Sequence, residues 1–109
     1  MMTQVKTADL IGPALDWAVA KCEGLSTYIE VVEGFKPSTD WIQGGPIIEC
    51  EQLSMVPSIC GDFWAARKYT EPVVLSFDGE TPLIAAMRCY VASNLGNTVD
   101  IPETLIPRD

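Results

Sequence analysis

The sequence predicts an α+β fold in which two helices pack on a small, mostly antiparallel sheet of three or four strands. Two segments, 13–23 and 82–95, have apolar residues at the helical spacing. Between them lie short runs rich in β-branched and aromatic residues, separated by turns that contain glycine and proline. The length of 109 residues suits one hydrophobic core, so we expect a single domain over residues 1–109.

The first predicted helix begins at Pro13 and ends near Glu23. Proline suits a first helical turn because its missing N–H is not needed there, and Gly24 is a suitable stop. The predicted core face consists of residues at the helical period: Leu15, Ala18, Val19 and Cys22. Trp17 lies nearly opposite this face. Its indole is therefore expected either to be covered by a loop or another subunit, or to line a ligand site.

The second predicted helix has Thr81 as its N-cap, Pro82 in its first turn and Gly96 as its stop. It is apolar or small nearly all round, which is typical of a helix buried on more than one side. In a chain this short the second contact suggests another protomer, so we expect a homo-oligomer, most simply a dimer. Arg88 is the only charged residue of this helix. It is expected either to extend to water or pair with an acid, or to bind a ligand phosphate or carboxylate.

The predicted strands occupy residues 26–33, 63–69 and 73–77, and Asp78-Gly79 is predicted to form a turn. Residues 47–53 fit either a short strand or an irregular edge. The terminal segments 1–12 and 97–109 are expected to be a lead-in and an extended tail that docks on the core.

Composition argues against several classes of function. The formal charge is −8 and the seven basic residues are scattered, so we do not expect nucleic-acid binding. The four cysteines form no CxxC pair and there is no histidine, so we expect neither a metal site nor a cofactor. Without histidine, serine–histidine and cysteine–histidine catalysis are also excluded.

The location expected from the sequence is the cytoplasm. The first nine residues lack an apolar signal segment, and no apolar run approaches the roughly 20 residues that span a bilayer. We therefore expect free thiols in a reducing compartment and no membrane partner.

The segment 37–49 is the densest cluster of groups able to hold a ligand, and it is predicted to lie mainly in a long loop over 34–46. One interpretation is structural: the polar residues cap a turn, and Trp41 fills the core. The other is a ligand pocket in which glycine backbone faces an anion, Trp41 stacks on a base, and Asp40 and Gln43 bind ribose or base edges. The predicted ligand-binding residues are Ser38, Thr39, Asp40, Trp41, Gln43, Gly44 and Gly45, with Trp17 and Arg88.

Three segments give the chain a resemblance to a known family. They are ALDWAVAK at 14–21, PSTDW with QGGPIIE over 37–49, and TPLIAAMRCYVAS at 81–93. In the same order, they resemble the small phage and prophage proteins named after NinX of lambdoid phages. The resemblance implies no reaction. It implies a phage accessory protein in the infected bacterial host and, by analogy with other such proteins, an anti-defence factor.

Three hypotheses about function follow. The first is an oligomeric sponge that sequesters a nucleotide-derived host immune signal without catalysis, and we expect this one. The second is an inhibitor that binds a host enzyme through an exposed apolar patch around Trp17 or Trp64. The third is a carboxylate-dependent enzyme that acts on a nucleotide with Asp40 and Glu49 as acid and base.

Overall fold

The computed structural model describes residues 1–25, 34–70 and 72–106. Within these residues the chain forms three α-helices: α1 (Gly12–Cys22), α2 (Trp41–Glu51) and α3 (Pro82–Leu95). It also forms five strands: β1 (Met2–Lys6), β2 (Ser54–Pro57), β3 (Trp64–Tyr69), β4 (Val74–Gly79) and β5 (Thr98–Pro102). The α+β class is confirmed, and the described part contains one helix more than the sequence predicts.

The described strands form two antiparallel sheets. The larger has the order β2-β3-β4, and the smaller pairs β1 with β5. The strands predicted at 63–69 and 73–77 are confirmed as β3 and β4, whereas the predicted strand at 26–33 lies outside the described residues. The lead-in and the tail form a ribbon in which Val5 lies opposite Val99. This pairing joins opposite ends of the chain, so no local pattern predicts it.

Helices α1 and α3 begin and end close to their predicted limits. The Ile84 N–H donates to the Thr81 hydroxyl at 3.1 Å, which confirms Thr81 as the N-cap of α3. Gly24 and Gly96 follow the two helices with φ of 74° and 88°, the backbone region that glycine enters without strain.

Helix α3 lies at the centre of the molecule. It contacts β3, β4, α1 and α2, and most of its residues from Leu83 to Ala92 are buried. The apolar character of α3 on nearly every side is thus accounted for by contacts within one chain. A homo-oligomer stays a prediction, but α3 no longer requires one.

Helix α2 replaces the second part of the predicted loop, from Trp41 to Pro46. It continues to Glu51, so the expectation of a strand or irregular edge at 47–53 is wrong. Glycine and an interior proline, here Pro46, disfavour a helix locally. The helix forms because Asp40 caps its start and because Gly44 and Ile47 are buried. Pro46 has no N–H to donate to the Ile42 carbonyl, so this turn of α2 has one hydrogen bond fewer.

Packing corrects the turn expected at Asp78-Gly79, and it shows that Trp17 is covered. Asp78 and Gly79 end β4 rather than forming a turn, because Gly79 lies against the first turn of α3. A Cβ there would lie 2.5 Å from the Ala85 nitrogen. Trp17 belongs to the core and is only 4% exposed, since α1 is buried continuously from Ala14 to Ala20.

Candidate functional site

The three segments that carry the family resemblance meet at the start of α2. The Ser38 N–H donates to Asp16 Oδ1 of α1 at 2.9 Å in a buried hydrogen bond. Gly44 lies directly against its neighbours, because a Cβ there would be 2.5 Å from the Pro37 oxygen and 2.6 Å from Leu83 Cδ2 of α3. Contacts among α1, the 37–49 segment and α3 therefore position the beginning of α2.

Asp16 is a buried carboxylate with a structural role. Burial raises the pKa of its carboxyl above the ordinary value, and the Ser38 N–H opposes this rise without cancelling it. The Ser38 hydroxyl lies close to the same carboxylate and also favours its charged form. Its Oγ is nevertheless buried and makes no hydrogen bond of good geometry to the described residues. The charge on Asp16 at neutral pH therefore costs folding free energy.

Asp16→Asn is expected to leave the protein at least as stable at about pH 7, because an amide oxygen still accepts from Ser38 and carries no charge. The folded state raises the pKa of Asp16, so the wild type loses stability as pH rises from about 3.9 through the folded pKa. Urea unfolding at about pH 4 and pH 7 checks this. The free energy of unfolding of the wild type, relative to that of Asp16→Asn, should be larger at about pH 4 than at about pH 7. The opposite order would contradict the raised pKa of Asp16. Asp16→Ala should lose about 1–3 kcal/mol at both.

Asp40 and Gln43 close the turn that precedes α2. Asp40 Oδ1 accepts from the Ile42 N–H at 3.0 Å, and Oδ2 accepts from Gln43 Nε2 at 2.9 Å. Gln43 Nε2 also donates to the Gly34 carbonyl at 2.9 Å, and Gln43 Oε1 accepts from the Lys36 N–H at 3.0 Å. These side chains, predicted to bind a ligand, are thus engaged in forming the protein's own turn.

A shallow cavity of about 190 Å³, which we call the Trp41 groove, lies where α2 and α3 begin. It is lined by Ser38, Thr39, Trp41, Thr81, Leu83 and Ile84. Three of the predicted ligand-binding residues are therefore brought to one surface. Trp41 does not fill the core, since its side chain is 56% exposed. An exposed indole beside a groove is available to stack on a planar ligand.

The other predicted residues lie elsewhere. Arg88 donates from Nε to the Leu10 carbonyl and from Nη1 to the Asp78 carbonyl, each at 2.7 Å, and burial lowers the pKa of its guanidinium. Trp17 lies in the core with Lys21 Nζ 5.6 Å from its ring centroid. Gly45 faces open space, with no atom within 4 Å of an added Cβ. Trp17 and Arg88 do not line the Trp41 groove.

A comparison with known protein families identifies the chain. The profile of the family described as "Bacteriophage P22, NinX" matches residues 6–94 of the 109. The chain belongs to the phage P22 NinX family. No curated protein shows significant similarity to it. The match spans all three segments that meet at the start of α2, so the resemblance seen in the sequence is confirmed.

This NinX-family protein has a second and larger cavity that the sequence did not reveal. The acidic cleft, as we call it, has a volume of about 300 Å³ and lies between α2, α3 and the end of α1. Its lining includes Glu23, Phe35, Gln43, Cys50, Glu51 and Tyr90. The Tyr90 hydroxyl donates to Glu23, which is 67 residues away in sequence. No motif could have linked side chains that only the fold brings together.

Other kinds of site have no counterpart in the described part of this NinX-family chain. Over 1–25, 34–70 and 72–106 no three histidine, cysteine or acidic side chains are grouped so that they could hold a metal ion. Cys22, Cys50, Cys60 and Cys89 are free thiols. None of the helices described has the length and apolar character needed to cross a membrane.

Proposed function

We propose that this NinX-family protein is a phage accessory protein of the host cytoplasm that binds a nucleotide-derived immune signal and holds it without changing it. The observation that carries the proposal is the exposed Trp41 indole beside a groove at which two helices begin. A base that stacks on Trp41 would gain about 1–3 kcal/mol. Sequestration of such a signal would protect the phage from a host defence.

The helix ends favour an anionic group on that ligand. The first turn of a helix carries a partial positive charge and outward-pointing N–H groups. At α2 the Asp40 carboxylate already occupies this position. At α3 the cap is the neutral Thr81 hydroxyl, and the first turn contains no acid. Because Pro82 has no N–H and the Ile84 N–H donates to Thr81, the partial positive charge of α3 is what would favour a phosphate there when the attached base lies on Trp41.

Binding without catalysis is favoured by the positions of the two candidate carboxylates. Asp40 caps α2 and Glu49 lies nine residues further along the same helix, about 13 Å away at 1.5 Å per residue. Both oxygens of Asp40 accept hydrogen bonds from the protein. Nine residues also place the two side chains on opposite sides of the helix, so the carboxyl groups do not approach to the roughly 5–9.5 Å at which carboxylate pairs act on one bond in glycosidases.

Trp41→Ala is expected to weaken ligand binding by about 5- to 150-fold, because the stacking surface is lost. Ile42→Ala is the matched control, since Ile42 lies in the same helical turn, is 85% exposed and does not line the groove. Isothermal titration with mononucleotides and cyclic oligonucleotides measures both variants. Equal affinities for the two variants and the wild type would overturn the proposed site.

The fate of the ligand separates the alternatives. Protein incubated with these nucleotides and then heated should release them intact, and altered nucleotide would indicate an enzyme instead. Asp40→Asn retains a good N-cap and removes a negative charge, so an anionic ligand should bind at least as tightly. If Asp40→Asn abolished turnover while binding survived, the carboxylate-dependent enzyme would replace the present proposal.

A second candidate function, inhibition of a host enzyme by direct binding, is favoured by the loop between β2 and β3. Four hydrogen bonds to or from Ser58 Oγ hold this loop. It presents Ile59 fully exposed, with Phe63 also exposed beside Trp64. If the purified protein retained none of the tested nucleotides, inhibition of a host enzyme would become the favoured function. Ile59→Asp would then be the variant that tests it in an assay of the host target.

A further inference from the structure

We propose that the acidic cleft is a binding site for a small organic cation that carries a primary ammonium or guanidinium group. This inference concerns a different cavity from the Trp41 groove and a ligand of opposite charge. It therefore stands independently of the proposed function.

The two acids at the cleft have different kinds of partner. Its charged lining residues within the described chain are two acids, Glu23 and Glu51. Lys68 forms an ion pair with Glu51. Glu23 accepts a hydrogen bond from the Tyr90 hydroxyl, which is a neutral donor. The cleft thus offers a carboxylate with a neutral partner beside one that is already paired.

Two helix ends add to this negative charge. Helix α1 ends at Cys22 with Glu23 as its C-cap, and the last turn of α2 contains Cys50 and Glu51. The final carbonyl groups of a helix carry a partial negative charge, so acids there are unfavourable and cations favourable. No basic residue lies in the last turn of α2. The last turn of α1 contains Lys21, but its Nζ lies 5.6 Å from the centroid of the Trp17 ring and Lys21 does not line the cleft. A cation in the cleft would relieve this repulsion.

The pKa values of two groups near the cleft are raised by burial and by the same acids. Burial, followed by the charges of Glu23 and Glu51, raises the pKa of the Cys22 thiol to about 11. Burial also raises the pKa of Tyr90, and Glu23 raises it further through its hydrogen bond and its charge. Both shifts mean that an additional anion is unfavourable there.

Size and aromatic walls narrow the ligand class. The volume of about 300 Å³ lies at the lower end of the range for small-molecule sites. Phe35 and Tyr90 both line the cleft. A cation held over an aromatic face is attracted by the ring in addition to its attraction to carboxylates. A short alkyl amine or alkyl guanidine meets these requirements, whereas a nucleotide phosphate would be repelled.

Cys50 provides a direct assay, because it lines the cleft and its residue is exposed. The full-length protein is treated with N-ethylmaleimide, and the rates at Cys50 and Cys60 are followed by peptide mass spectrometry. Cys60 is exposed and outside the cleft, so it is an internal control. Three probes of matched chain length are compared: pentane-1,5-diamine, pentane-1,5-diol and glutarate. We expect the diamine alone to slow labelling of Cys50 and to leave Cys60 unchanged.

Glu23→Gln tests the charge without removing the hydrogen-bond acceptor for Tyr90. It should weaken protection by the diamine at least about tenfold, which corresponds to about 1.4 kcal/mol. Glu49→Gln makes the same charge change on an exposed residue of α2 that does not line the cleft, and it should have little effect. Circular dichroism shows whether both variants retain the fold.

Other outcomes would overturn the inference. Equal protection by the diol would mean that the cleft selects apolar chains rather than charge. Unchanged labelling with the diamine, or protection that survives Glu23→Gln in full, would remove the cation site. Protection by a lysine-rich peptide but not by the diamine would assign the cleft to a protein side chain instead of a small molecule.

Discussion

Gly44→Ala is expected to destabilise the fold by about 2–3 kcal/mol, although alanine is the better helix former. The added Cβ would lie 2.5 Å from the Pro37 oxygen and 2.6 Å from Leu83 Cδ2. Leu83 can move its side chain, but the Pro37 carbonyl belongs to a backbone turn held by the Asp16–Ser38 hydrogen bond. The start of α2 would therefore have to shift away from α3. Urea unfolding followed by circular dichroism measures the change.

Gly45→Ala is the matched control, one residue along the same helix. Outside its own chain neighbours and helix backbone, its Cβ would meet no atom within 4 Å, so packing against other elements costs nothing. Alanine gains about 0.5–1 kcal/mol of helix preference, and the clash of a helical residue with the following Pro46 ring opposes this gain. The net change should stay within about 1 kcal/mol of zero. If Gly44→Ala proved as harmless as Gly45→Ala, the close contact between α2 and α3 would be wrong.

The two variants also test the prediction that Gly44 and Gly45 contact a ligand. The space beside Gly44 is filled by Pro37 and Leu83, so a ligand cannot approach its backbone there. Gly44 therefore permits helix packing, whereas Gly45 permits a helical backbone before proline. Nucleotide binding by the Gly45→Ala protein should match that of the wild type.

Arg88→Met is expected to cost about 2–3 kcal/mol of stability. Methionine retains an apolar stem, but it leaves the Leu10 and Asp78 carbonyls without the donors that Arg88 supplies at 2.7 Å. Hydrogen bonds from a charged group contribute about 1.5–3 kcal/mol each, and the partial exposure of Arg88 reduces that value here. Thermal and urea unfolding of the variant provide the measurement. Arg67→Met, on an exposed position of β3, should change stability by less than about 0.5 kcal/mol.

The same variant decides between the two roles that the sequence leaves open for Arg88. Because its guanidinium bonds to two backbone carbonyls, folded Arg88→Met should bind the nucleotide ligand with unchanged affinity. A folded variant that had lost nucleotide binding would restore Arg88 as a ligand contact. Nucleotide titration at a temperature below the unfolding transition separates a loss of binding from a loss of stability.

Local signals were sufficient for the α+β class, for the limits of α1 and α3, and for β3 and β4. Thr81, Gly24 and Gly96 act within one helical turn, so their residue types are informative without knowledge of the fold. The same holds for chemistry: a chain without histidine cannot use histidine in catalysis. Within segment 37–49, Ser38, Thr39 and Trp41 do share one groove, and ligand binding by this segment stays a prediction.

Only the tertiary structure decided what the polar and aromatic groups contact. Helix α2 forms against its local preferences because burial of Gly44 and Ile47 compensates for Pro46. Trp17 is buried because α1 is covered on more than its apolar face. Arg88 reaches the Leu10 carbonyl, 78 residues away, and Tyr90 reaches Glu23, 67 residues away. Such contacts depend on how the elements pack, and the spacing of residues along one chain carries no record of them.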